Sequence, residues 1–268
     1  MRKLEDRWQT KYETESKEYR ITNPENGNKI YGVLYFPKGN VPLAKRSFPA
    51  IILSHGFNGS HLDFQRECRY YAQNGFVAYA FDFCGGSVHA KSDGSTTDMT
   101  IFSEKSDLRA VFEAIRSLEQ TDSDRMYLFG GSQGGLVTTL VAEELGSQVR
   151  GMALYYPAFN IPEDWRKNFP DERDIPTEWE LWGMTLGKNF FTSIRNFDTF
   201  KEIGRYRGRV RIIYGSEDPI VPSGAMEKAE NIYDCAELFV LPGEGHGFSP
   251  AGAKTAMELV LEFLLEEE

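Results

Sequence analysis

Cysteine is scarce. Cys68, Cys84 and Cys235 are the three in 268 residues, widely spaced and with no CxxC pair. An odd, scattered set offers neither a disulfide framework nor a thiolate zinc motif, so reduced thiols are expected. Positive charge is also in short supply: 30 Lys plus Arg stand against 40 Asp plus Glu, a formal net charge of −10. That balance excludes a general nucleic-acid binder, which needs a basic field to meet phosphates. No apolar run approaches the roughly 20 residues of a membrane-spanning helix. The first stretch, MRKLEDRWQTKYETESKEYR, is charged throughout and lacks the apolar segment of a secretory signal, so a soluble, cytoplasmic protein is expected. Repeats and low-complexity segments are absent. Histidine is sparse too, with His55, His61, His89 and His246 making the full set.

What the chain does have is core-forming material: 41% hydrophobic and 13% aromatic residues. That suffices for one large domain over residues 1–268. KEYRIT and KIYGVLYFP flank the turn NPENGN and predict a β-hairpin over residues 18–37. FPAIILSHG, GFVAYAFDF, RMYLFGG, VRGMALYYPA, RVRIIYGSED and AELFVLPGEG are short apolar runs that end near Gly, Pro or Asp. All six read as strands, the first two as strands buried on both faces. Helical spacing falls between them. Residues 61–74 carry Leu62, Cys68, Tyr71 and Ala72 as apolar anchors, and residues 101–119 carry Leu108, Val111, Phe112, Ile115 and Leu118. GLVTTLVAEEL, residues 223–233 and residues 251–266 follow the same period, the last with Ala256, Leu259, Val260, Phe263 and Leu264 as its stripe. Strands alternating with helices predict an α/β fold, a mostly parallel eight-stranded sheet covered on both faces. One stretch breaks the rhythm. About 50 residues separate the sixth and seventh strands, far beyond an ordinary connection. They hold Trp165, Trp179 and Trp182 and many phenylalanines, and predict an inserted cap over residues 158–206.

Ligands of open parallel sheets bind beyond the carboxyl ends of the strands, so the residues just after each strand are the candidates for a site. Gly130-Gly131-Ser132-Gln133-Gly134 follows one strand and opens a helix, matching G-x-S-x-G. Flanking glycines relieve the close approach of a sharp turn, and the hydroxyl stands at a helix N-terminus that favours developing negative charge. Serine needs a base. His246, in GEGHGF, follows the last strand. The base needs an orienting carboxylate. Asp218, in GSEDPIVP, follows the preceding strand; its neighbour Glu217 is the alternative, and capping the next helix is a competing role for Asp218. The backbone N–H groups of Phe57, in SHGFNGS, and Gln133 are the expected oxyanion donors. His55 is expected to support that loop, and Asp82, in FDFCGG, to hold a loop near the site.

With HGF, GGSQGG, GSEDPIVP and GEGHGF each at its strand end, the chain resembles the α/β-hydrolase superfamily over residues 18–266. SHGFNGS, YAFDFCGGS, the SDG…DMT segment, GGSQGG and the cap make it similar, more narrowly, to bacterial cinnamoyl (feruloyl) esterases. That family commonly has histidine before the elbow serine, where this chain has Gly131. The resemblance implies a serine esterase for hydroxycinnamate esters, with Ser132, His246 and Asp218 as its triad. No cofactor and no metal are expected. The expected partner is a small-molecule ester, with no nucleic acid and no membrane, and a homodimer is admitted. Trp165, Trp179 and Trp182 are candidates for the aromatic pocket; internal packing of the cap is their other reading. A lipase-like carboxylesterase or monoacylglycerol hydrolase, a short-peptide peptidase, and a non-catalytic small-molecule binder are the competing functions.

Overall fold

A computed structural model describes residues 12–38 and 47–266. Residues 1–11 of the charged N-terminal stretch lie outside the described residues. The strands are β1 (Glu13–Thr22), β2 (Lys29–Lys38), β3 (Phe48–Ser54), β4 (Val77–Phe81), β5 (Thr121–Gly131), β6 (Gly151–Tyr155), β7 (Glu178–Leu181), β8 (Met184–Gly187), β9 (Arg209–Gly215) and β10 (Ala236–Leu241). The helices are α1 (Gln65–Gln73), α2 (Ile101–Arg116), α3 (Gln133–Leu145), α4 (Ile161–Asn168), α5 (Lys188–Ile194), α6 (Thr199–Glu202), α7 (Ser223–Ile232) and α8 (Pro250–Leu265).

Eight strands form one sheet in the order β1-β2-β4-β3-β5-β6-β9-β10. The β1–β2 hairpin is antiparallel, as is the β2–β4 pair, and every pairing from β4 to β10 is parallel. Successive side chains of a strand point to opposite faces, which explains the continuous apolar runs. On β3, Ala50 and Ile52 join the core on one face while Ile51 and Leu53 join the core on the other. β5 repeats this with Met126 and Leu128 against Tyr127 and Phe129. The first face is covered by α2 and α3 and continues into the insertion; the second is covered by α1 and α8.

Two local expectations are corrected. The helix predicted from residue 61 begins at Gln65, and residues 61–64 form a turn. Asp82 takes both the His61 amide and its ring Nδ1 at 2.7 Å, which holds the chain out of helical geometry. Leu62 is 58% exposed and anchors nothing, and Phe64 is buried in its place. The insertion between β6 and β9 contains α4, α5, α6 and a two-stranded antiparallel sheet, β7–β8, that periodicity did not reveal.

Candidate active site

β5 ends at Gly131 and α3 begins at Gln133, so Ser132 alone makes the turn. Its φ is +53°, a region side-chain-bearing residues rarely occupy and one that costs about 1–3 kcal/mol. The surroundings impose it. The Ser132 N–H donates to the Tyr155 carbonyl at 2.9 Å, and the Ser132 carbonyl accepts from Ala158 N–H at 2.9 Å. Glycine at 134 is a steric requirement: a Cβ there would lie 2.2 Å from the His55 carbonyl oxygen. This close approach sets the N-terminus of α3 against the end of β3.

Two other strand ends deliver the partners. His246 Nε2 lies 2.9 Å from Ser132 Oγ, and its Nδ1 lies 2.8 Å from Asp218 Oδ2. A carboxylate accepts only, so Nδ1 carries the proton and the Nε2 lone pair faces the serine hydroxyl. The Asp218 side chain is 1% exposed and that of His246 15%. The second carboxylate oxygen accepts from the Ile220 and Val221 amides at 2.8 and 2.9 Å. Asp218 therefore both orders its turn and holds the imidazole, and α7 starts only at Ser223. Glu217 makes no contact with the imidazole among the described residues.

The loop after β3 packs on Ser132: a Cβ on Gly56 would sit 3.1 Å from Ser132 Cβ. Among the described residues, neither the Phe57 nor the Gln133 N–H is committed to a loop or turn carbonyl. His55 braces this loop. Its Nδ1 pairs with the Gly56 carbonyl at 2.7 Å, and its Nε2 accepts from Phe83 N–H at 3.0 Å. Burial lowers its basicity and keeps the ring neutral. Asp82, fully buried, ties His61 and the Lys91 amide together behind the loop. On the other side of the elbow, Glu104 of α2 accepts from the Gln133 side-chain amide at 2.9 Å.

A cavity of about 380 Å³ opens above Ser132. Phe57, Asp63, Tyr156, Trp182 and Ile220 contribute its walls, with His246 at one edge. Residues 46–196, more than half of the chain, match the family model described as "Serine aminopeptidase, S33" (Hydrolase_4). The chain belongs to this family. Ser132 and the Phe57 loop lie inside the matched region, Asp218 and His246 beyond it. A solved structure of Est1E from Butyrivibrio proteoclasticus with ferulic acid bound superposes with a TM-score of 0.80 at 25% identity, covering 92% of this chain and 100% of that one. Caffeoylshikimate esterase from Arabidopsis thaliana is 30% identical over 135 residues, 49% of this hydrolase and 40% of that protein. The hydrolase thus spans less than half the length of that relative in the match. Alpha/beta hydrolase domain-containing protein 10 from mouse shares the fold, with a TM-score of 0.73 at 15% identity over 92% and 98% of the two chains.

Of the three cap tryptophans, the structure brings one to the cavity. Trp182, 65% exposed at the β7–β8 tip, packs edge-on to Phe57 with ring centroids 5.9 Å apart. Trp165 and Trp179 do not reach it. Trp165 is spent on Phe169 and Phe191 at 5.8 and 4.7 Å, and Trp179, 40% exposed, packs edge-on to Phe169 at 5.3 Å, so both belong to the insertion's own aromatic cluster. Sequence reasoning missed Tyr156, whose ring lies 4.5 Å from that of His246. It follows β6, and the strand-end rule that found the other residues would have reached it. It also missed Glu104. The signal was its place four residues before Leu108 and seven before Val111, on the apolar stripe of α2. Glycine at 131 has a visible steric reason: a Cβ there would lie 2.7 Å from the Phe64 ring, which fills the space.

Proposed function

We propose that this hydrolase is a serine carboxylesterase acting on hydroxycinnamate-type esters, with Ser132, His246 and Asp218 as its catalytic triad. The observation that carries the reading is the continuous hydrogen-bonded relay Ser132 Oγ–His246–Asp218 at 2.9 and 2.8 Å. Ser132 Oγ attacks the ester carbonyl as its proton passes to His246 Nε2. Asp218 holds the ring and stabilises its cationic form. The oxyanion is received by the Phe57 and Gln133 amides at the positive end of α3. His246 then protonates the departing alcohol, leaving an acyl-Ser132 ester. Water, deprotonated by His246, attacks that ester, and the acid leaves as Ser132 regains its proton. None of these steps calls on a cofactor or a metal.

Support for an aromatic acid comes from the Phe57, Tyr156 and Trp182 walls, which suit a flat ring. The ferulic acid held by Est1E and the name of the Arabidopsis relative point the same way. A second reading, a carboxylesterase for aliphatic esters, is favoured by the exposed Ile220 and Trp182 at the mouth, which would also take an alkyl chain.

The test is Ser132→Ala on a 4-nitrophenyl ester, with an expected loss of several decades in kcat. Activity within tenfold of the parent would sink the assignment. A panel of methyl hydroxycinnamates beside butyrate esters separates the substrate readings: fast butyrate turnover with untouched methyl ferulate selects the second. An amino-acid arylamide in the panel covers the peptidase chemistry in the family's description. Failure of a fluorophosphonate to label Ser132 in folded protein would favour a non-catalytic binder.

A further inference from the structure

Glu104 is a buried acid for which the relay above has no use. Its side chain is 1% exposed, on the face of α2 that packs against the nucleophile elbow. Its Oε2 accepts from Gln133 Nε2 at 2.9 Å, and Met99 Sδ lies 3.9 Å from the same nitrogen. A Cβ on Gly86 would lie 3.1 Å from Oε1, so the loop after β4 closes the other side. Gln133 itself is 2% exposed. It is the first residue of α3, and its backbone N–H is one of the two oxyanion donors.

The groups facing Glu104 are few. From its own helix comes Asp107, which accepts from Asn23 Nδ2 at 2.8 Å and from the Cys84 amide at 2.8 Å. From the loop after β4 comes Gly86, and from α3 the neutral Gln133 amide. Among the described residues, no lysine, arginine or histidine forms an ion pair with Glu104. A carboxyl in such a place is disfavoured as an anion by burial and by the like charge of Asp107. Those two causes, against the opposing Gln133 hydrogen bond, push its pKa up to about 8.

We propose that Glu104 is a positioning residue for the oxyanion donor of Gln133, and that turnover requires its neutral form. This rests on the esterase reading of Ser132. Two consequences follow from the geometry. The short tether from carboxyl to side-chain amide to Cα holds the Gln133 backbone in the orientation that points its N–H at the substrate. An ionised Glu104 would place a second anion at the end of α3 that must receive the oxyanion. In a water-excluded site that repulsion acts with little screening and opposes the charge that develops in the transition state.

The experiment measures kcat and KM for a soluble 4-nitrophenyl ester from pH 6 to 9.5, on the parent, Glu104→Gln and Glu104→Ala, with Ser132→Ala as the blank. The parent kcat is expected to fall about tenfold on the alkaline side, with a midpoint near the value at which Glu104 ionises. Glu104→Gln, which keeps the hydrogen bond and cannot ionise, should hold kcat within threefold of the parent at pH 7 and lose the alkaline fall. Glu104→Ala should lose about tenfold in kcat at pH 7 with KM nearly unchanged. A purely structural role would alter stability in both variants and leave the midpoint where it was. A parent profile flat to pH 9.5, a glutamine variant that falls at the parent's midpoint, or an alanine variant with the parent's kcat each overturns the proposal. The parent profile decides even if the alanine variant does not fold. A parent that turns over no ester overturns the esterase reading and this inference together; an active parent whose profile is untouched by Glu104→Gln overturns this inference alone.

Discussion

His55 reaches the chemistry through its neighbours. One ring nitrogen holds the Gly56 carbonyl and the other takes the Phe83 amide, so the loop bearing Phe57 is pinned from beneath. His55→Ala leaves a buried N–H unpaired, which costs about 1–3 kcal/mol. We expect a matching drop in urea stability and a ten- to hundredfold loss of kcat, larger than any change in KM. The buried acid beside the elbow has its own signature in stability. The carboxyl of Glu104 is raised to about 8 in the fold, well above its unfolded value, so between those values the folded state holds the extra proton. Stability linked to this group is therefore fully present at low pH and is lost as pH rises through that window. Glu104→Gln should raise the melting temperature more at pH 9 than at pH 5, and an equal shift at both values would contradict the buried neutral carboxyl.

Elements meet the site at their ends. The β7–β8 hairpin turns at Trp182 and Gly183, with φ of +47° and +77°, and Asn58 Nδ2 donates to the Trp182 carbonyl at 3.1 Å. The strained turn is thereby latched to the loop after β3 and hangs an indole over the cavity. Trp182→Ala should raise KM for aryl esters about tenfold while kcat for a small acetate ester stays near the parent's. At the far end of α3, Glu143 accepts from the successive amides of Gly204, Arg205 and Tyr206 and from the Tyr233 hydroxyl at 2.8 Å. One helix thus begins beside Ser132 and ends on the loop that leads from the insertion into β9. Glu143→Ala strands four donors, and a loss of about 3 kcal/mol in chemical denaturation is expected.

For the whole molecule, stability comes from two cores divided by one sheet. Phe263 of α8 packs on Tyr127 and lies under the guanidinium groups of Arg209 and Arg211. Removing its ring should cost about 3–5 kcal/mol and lower a single cooperative transition rather than split it. Thiol chemistry is set by the same burial. Cys68 and Cys84 are buried with their pKa values pushed up, chiefly by desolvation, while Cys235 is exposed. Iodoacetamide on the folded protein should label Cys235 and spare the other two, as measured by peptide mass.

Ser132, Asp218, His246 and the Phe57 loop were legible from sequence because buried strands announce themselves as apolar runs. In a parallel sheet their carboxyl ends share one edge, so a residue's place after a strand already places it at the site. The glycines of GGSQGG carried the same information, since only a strained, close-packed turn requires them. The placement of each of the insertion's tryptophans and the burial of the acid beside Gln133 were decided by the tertiary structure. Trp165, Trp179 and Trp182 are alike in composition and neighbourhood, yet only the last stands on a hairpin tip across from Phe57, 125 positions earlier in the chain. Glu104 looks like one more acid on an amphipathic helix until α3 and the loop after β4 close over it. Both outcomes depend on desolvation and on contacts between distant segments, which local periodicity does not encode.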